Sequence, residues 1–236
     1  MKKILLTLTV AGSALFVNAQ SRIASPSATN LTPAVLQQSL LNIKSNGISC
    51  DTTSNFIVGT YTPTIYNDNA GGYVSGQNSY GDQSKVDKYA IPIPNSSIYG
   101  VIYIFGAASS SGTNQTFTAQ VWDNDGAGGL PNTSLGSQTV TYDTIVYDFN
   151  LGIPTLVLFS AGIVVSDTVY VGVNFGYTVG DTLAIESSLD GEAAVNTAYE
   201  EFSGSGGWYP FDDATNSWGI SVAHTIFPIV CTPTGV

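Results

Sequence analysis

A period-two alternation of apolar and polar residues, broken at short intervals by turn-forming clusters, limits this chain to a few architectures. In QTFTAQVW, residues 115–122, Phe117, Ala119 and Val121 fall on one face and Thr116, Thr118 and Gln120 on the other. A strand buried on one side reads this way, because successive side chains point to opposite faces of a sheet. YGVIYIFG (residues 99–106), SQTVTYDTIVYDF, TLVLF, DTVYVGVNF and WGISVAHTIFPIV continue the rhythm. Between them lie SSSGTNQ, DNDGAGG, NLGIP, SAG, YTVGD and LDGE, each rich in the residues that turns require. Many short strands with regular turns predict an all-β fold: a two-sheet antiparallel β-sandwich, jelly-roll-like or immunoglobulin-like. One helix is expected, short and near the N-terminus. Thr32-Pro33 offers a cap and a first-turn proline, and Leu36, Leu40 and Ile43 follow at helical spacing up to Lys44.

The first nineteen residues have a different character. Lys2 and Lys3 precede an apolar run from Ile4 to Phe16, and Val17-Asn18-Ala19 places small residues before Gln20. This is the pattern of a secretory signal peptide cleaved after Ala19. The run is too short to span a bilayer, which takes about 20 apolar residues. The expected organisation is a signal peptide at 1–19, a polar segment with the short helix at 20–55, one β-sandwich domain at 56–231 and a tail at 232–236. Export predicts a secreted or cell-surface protein, with the periplasm left open, and no insertion into the membrane.

Export also bears on the cysteines. There are two, Cys50 and Cys231, and an even pair in an oxidising compartment reads as a disulfide. Two buried thiols are the alternative.

Charge excludes several partners. From Tyr89 to Val236 there is no Lys or Arg, and loss of Lys2 and Lys3 with the leader takes the formal net charge from −11 to −13. Nucleic acid is excluded as a partner, since its binding rests on cationic side chains neutralising phosphates. With 10% charged residues the surface must be built from Thr, Ser, Asn, Gln and Gly, which suits sugars or cations.

Three stretches could carry a site. VWDNDGAGGLP (residues 121–131) resembles a calcium loop at first, with Asp123 and Asp125 as the metal-ligand candidates. Counted from Asp123, however, position 5 is Ala127 and position 12 is Ser134, so a helix-loop-helix calcium loop fails. A hairpin turn remains, with calcium as a cofactor only of a looser site. YNDNAGGYVSGQNSYGDQSK (residues 66–85) brings Tyr73 and Tyr80 among amides and acids. GSGGWYPFDDATNSW (residues 204–218) gathers Trp208, Tyr209, Asp212 and Trp218. Aromatic rings beside carboxylates are suited to carbohydrate, the rings stacking on apolar sugar faces and the acids accepting from hydroxyls. Core packing is the competing use of such aromatics.

A catalytic set is harder to find. His224 is the only histidine and lies in a strand-like run, with no nucleophile motif nearby. Glu186, Glu192, Glu200 and Glu201 fall in one region, which leaves paired-carboxylate hydrolysis formally open.

GGYVSGQNSYGDQSKVDKYAIP and VWDNDGAGGLPNTSLGSQTV, with VYVGVNFGY and SWGISVAHTIFPIV, carry a resemblance across residues 56–230. These segments are similar to modules in exported proteins of type IX secretion bacteria, although this chain ends in CTPTGV rather than in a sorting domain. The resemblance implies a β-sandwich of adhesive or carbohydrate-associated role. The expectation is thus a non-catalytic exported binding module whose partner is a polysaccharide or cell-surface glycan. The alternative is a structural or assembly protein that contacts a surface partner protein through its sheets.

Overall fold

The computed structural model describes residues 22, 24–28, 48–56, 61–112, 115–176, 180–202 and 207–233. The expected leader and the expected helix at 33–44 lie outside the described residues, as do the last three residues of the tail.

Twelve strands are described, all paired antiparallel. They are β1 (Ala24–Ala28), β2 (Ile48–Thr52), β3 (Thr64–Asp68), β4 (Ser84–Tyr103), β5 (Phe105–Ser109), β6 (Thr116–Asp123), β7 (Ser134–Thr141), β8 (Thr155–Phe175), β9 (Thr182–Ile185), β10 (Ala198–Phe202), β11 (Gly207–Pro210) and β12 (Ile226–Pro233). The main sheet runs β11-β10-β4-β8-β6-β7, and β12 bridges β4 to β2. Two pairs, β1-β3 and β5-β9, stand outside it.

The long ladder of β4 on β8 organises the molecule. Its register is interrupted between Ile91 and Ser96 and again between Ile98 and Gly100. Asn95 and Asp167 take positive φ beside the first interruption, which short polar side chains tolerate better than others do. Ser84–Asp87 pair with β10 on one side of this break, and Ser97–Tyr103 pair with β12 on the other. Both halves feed one core. Tyr89, Ile91, Ile98, Val101 and Tyr103 of β4 pack with Phe117, Ala119 and Val121 of β6 and with Val169, Val171 and Val173 of β8. The inward face expected of QTFTAQVW is the inward face found. Burying each such side chain stabilises by about 1.5–3 kcal/mol.

Several expectations need correction. SQTVTYDTIVYDF is not a continuous strand: β7 ends at Thr141 and a helix, α1 (Tyr142–Leu151), follows. Thr141 caps it by accepting from the Thr144 N–H, and Gly152 ends it at φ 66° while donating to the Asp148 and Phe149 carbonyls. Tyr142 and Ile145 are the residues it buries. Ser160-Ala161-Gly162 is not a turn but an irregularity within β8, and a Cβ on Gly162 would lie 2.7 Å from the Tyr99 ring. The segment 20–55 is more than a polar leader to the domain, because β1 and β2 both pair with later strands. Cys50 and Cys231 sit opposite one another in the β2-β12 register and are joined as a disulfide.

Among the described residues no helix is long and apolar enough to cross a membrane.

Candidate functional site

Side chains of the main sheet alternate between the shared core and an outer face. On that outer face Val86, Trp122, Tyr170 and Tyr199 form a separate cluster, with Leu130 and Trp208 packed against it. Trp122 follows Val121 and so points away from the core. Tyr170 meets Tyr199 edge to face at 5.2 Å, and the Trp122 and Trp208 rings meet at 5.6 Å in the same manner.

The hairpin between β6 and β7 folds over this cluster. The Asp123 N–H donates to Thr133 O (2.8 Å), the Gly126 N–H to Leu130 O (3.0 Å) and the Gly129 N–H to Gly126 O (2.9 Å). Gly128 and Gly129 take φ of 75° and 77°, where a Cβ would be strained. The Tyr170 hydroxyl donates to Gly129 O at 2.8 Å and so ties the hairpin tip to the sheet.

Between hairpin and β11 lies a groove of about 360 Å³. Trp122, Leu130 and Trp208 supply its apolar wall, Asn132 and Glu201 its polar groups, and Gly126, Ala127 and Pro131 the remainder. One oxygen of Glu201 accepts from Ser84 Oγ at 2.8 Å, which orients the carboxylate. A concave site with aromatic walls and a few placed polar groups is the usual form of a small-ligand site. An indole face can lie on the C–H face of a sugar ring, while Asn132 and Glu201 can exchange hydrogen bonds with its hydroxyls.

The two aspartates of the hairpin serve its own backbone. Asp125 accepts from the Thr133 N–H (2.9 Å) and the Thr133 hydroxyl (2.6 Å), and these bonds hold its pKa below the ordinary value. Asp123 accepts from the Asn124 N–H at 2.8 Å. Among the described residues no group of three or more His, Cys, Asp or Glu is placed to hold a metal ion.

The other named aromatics are placed elsewhere. Trp218 is 5% exposed, and with Tyr80 it lines a buried charge cluster rather than the groove. Arg22 lies over the rings of Phe202 (4.5 Å), Tyr80 (4.6 Å) and Trp218 (5.0 Å). Its guanidinium donates to Asp82 and Glu200, and Lys85 Nζ donates to the same two carboxylates at 2.7 and 2.6 Å. Glu200 accepts in addition from Trp218 Nε1 (2.7 Å) and Ser217 Oγ (2.8 Å). Burial alone would raise the Asp82 pKa, but Lys85, aided by Arg22, holds it at about 2. Burial prevails at Glu200, whose pKa is raised despite Lys85. Tyr73 is half-buried, with its N–H on Gln77 O (2.8 Å). Tyr209 stands opposite Glu200 in the edge pairing of β10 and β11. Asp212 accepts from the Asn196 N–H at 3.2 Å.

The structure also separates the four glutamates. Glu186 accepts from the Tyr61 hydroxyl, whose pKa is pushed far up by burial and by that carboxylate. Glu192 accepts from the Thr62 N–H (2.7 Å) and hydroxyl (2.6 Å). Glu200 belongs to the charge cluster, and Glu201 alone reaches the groove. His224 pairs through Nδ1 with Asp87 at 2.7 Å and donates its backbone N–H to the same side chain at 3.0 Å. Both side chains are fully buried, and burial raises the Asp87 pKa despite the histidine.

Of the named residues, then, Trp208 and the 121–131 stretch come together. Trp122 and Asn132 were not named as site residues, and Glu201 was named only among the glutamates considered for hydrolysis. One signal was legible: Trp122 is a large aromatic on the polar phase of an otherwise alternating strand.

No family model matches this chain, and no curated protein matches it. Among solved structures, one described as the cysteine protease and lectin-like domains of Cwp84, a surface layer associated protein of Clostridium difficile, is similar at 8% identity with a TM-score of 0.48. The similarity covers 80% of this chain and 37% of that one.

Proposed function

We propose that this protein is an exported, non-catalytic module that binds a polysaccharide or cell-surface glycan in the groove between the β6-β7 hairpin and β11. The observation that carries this reading is the meeting of Trp122 and Trp208 beside Glu201 and Asn132 in one concave site. The ligand's apolar sugar faces rest on the indoles, and its hydroxyls are read by the carboxylate and the amide. An acidic surface with few cations favours a neutral glycan over a sulfated or phosphorylated one, since like charges repel. The scaffold is read as a two-sheet sandwich of jelly-roll or immunoglobulin type, with the bent β4-β8 ladder shared between its layers.

The test is thermal unfolding of the chain from Gln20 onward against a panel of neutral and acidic glycans, each with calcium and with chelator. A ligand that binds only the folded state raises the midpoint by mass action. The expected result is a rise with one neutral glycan class that is lost on Trp208→Ala. A calcium-dependent rise lost in Asp123→Ala, Asp125→Ala would make the hairpin a calcium-ordered loop. No rise with any glycan would remove the ligand reading.

A further inference from the structure

Arg22 is the single arginine of the chain, and the structure buries it. It stands two residues ahead of β1, whose described strand partner is β3. Ala24 of that strand packs against the cluster of Tyr66, Val74, Phe211 and Trp218. The N-terminal arm therefore docks by two means at once: a row of backbone hydrogen bonds and a cation driven into a ring-lined acidic socket.

The socket is selective. Three aromatic rings within 5.0 Å of the guanidinium carbon favour a planar, weakly hydrated cation. Asp82 and Glu200 carry two negative charges against the one positive charge of Lys85, so the body is neutral there only when the arm is present. From Tyr89 onward the chain has no Lys or Arg that could take its place. What the socket takes is a guanidinium on an extended segment, and the identical arm of another copy supplies one.

Residues 29–47 connect β1 to β2. Nineteen residues reach at most roughly 65 Å, whereas a domain of this size has a radius of gyration of about 17 Å. Chain length thus permits the arm of one copy to reach the socket of its neighbour.

We infer that the socket of Asp82, Glu200, Tyr80, Phe202 and Trp218, with the edge of β3 that β1 covers, is a receptor for the N-terminal arm of a second copy of this chain. The arm fills it in cis in the structure and in trans when copies meet, so that subunits join by exchanged strands. Each exchanged arm makes the same pairing and the same buried contacts that it makes at home, so exchange loses no contact and is governed by concentration and linker reach.

Cross-linking distinguishes the two arrangements, because Ser25 faces Asn67 in the β1-β3 register. Two singly substituted mature chains, Ser25→Cys and Asn67→Cys, are mixed at high concentration in a glutathione buffer. Peptide mapping then scores the bond between positions 25 and 67. The expected result is a covalent dimer carrying that bond, in a yield that rises with concentration and falls several-fold when the first chain also carries Arg22→Ala. The doubly substituted chain, Ser25→Cys with Asn67→Cys, is the control and should form the bond within one molecule. A bond in the control with none between the two single variants overturns the exchange. Absence of the bond in both overturns the docked arm itself.

Discussion

Trp122 and Trp208 come from strands β6 and β11, which three other strands separate in the sheet, yet their rings meet edge to face at 5.6 Å. Four strand spacings amount to roughly 19 Å. The outer face must therefore be concave here for the two indoles to touch, and that concavity makes the groove.

The two tryptophans contribute differently, and mutation should separate them. Trp122 is 6% exposed, whereas Trp208 is only partly buried. Trp122→Ala should cost about 3–5 kcal/mol of stability as a large-to-small change in a packed cluster. Trp208→Ala should cost clearly less while weakening glycan binding at least tenfold, about 1.4 kcal/mol. Titration calorimetry and urea unfolding of both variants check this. Unchanged affinity in Trp208→Ala would place the binding site elsewhere.

Arg22→Ala leaves Asp82 and Glu200 buried with Lys85 as the one cation described beside them. Breaking one side of such a buried network should cost about 3–5 kcal/mol. Adding Asp82→Asn restores neutrality, so the double variant should be less destabilised than the sum of the single ones. Urea denaturation of the four members of the cycle measures the coupling. Simple additivity would show that Arg22 and Asp82 do not sense each other.

Acid stability should depend on Asp82. Its pKa is about 2 in the fold against an ordinary 3.8. A depressed carboxylate contributes stability that is present above the unfolded value and is lost as pH falls through the folded one, here about 2 kcal/mol between about pH 4 and pH 2. Glu200 and Asp87, raised by burial, act in the opposite direction. Wild type and Asp82→Asn should therefore converge in stability as the pH falls from 4 to 2. Urea midpoints in steps across that range test this, and a constant gap would contradict it.

The disulfide ties β2 to β12 across a sequence separation of 181 residues. Closing so long a loop restricts the unfolded chain by roughly 5 kcal/mol in the chain-entropy model, an upper figure. Cys50→Ser with Cys231→Ser should lower stability by up to that amount without changing glycan affinity, since neither cysteine lines the groove. Denaturation and binding measured on the same preparation decide both parts.

Strands were legible where alternation of apolar and polar residue types marks the buried face, and not in β3 or the first half of β4, where Thr64, Asp68, Ser84, Lys85 and Asp87 take buried positions. Phe117, Ala119 and Val121 are the clearest case of such alternation. The helix Tyr142–Leu151 was not legible, since TYDTIVYDF is rich in β-formers. Its cues were the Thr141 cap and Gly152 before Ile153-Pro154, and they are local where the apolar pattern is not. The break at Ser160-Gly162 looked like a turn because small residues serve both turns and bulges.

The all-β class, the inward face of β6 and the acidic charge balance are written in the residues themselves, and two cysteines leave each a single possible partner. Those follow from residue type, count and spacing along the chain. Tertiary structure decided the rest: that Trp208 meets Trp122 and not Trp218, that Glu201 faces a groove while its neighbour Glu200 is buried among cations, and that Arg22 belongs to the core. Each depends on which strands become neighbours, and strand order is set by the summed packing of the whole sheet, which no short window of sequence contains.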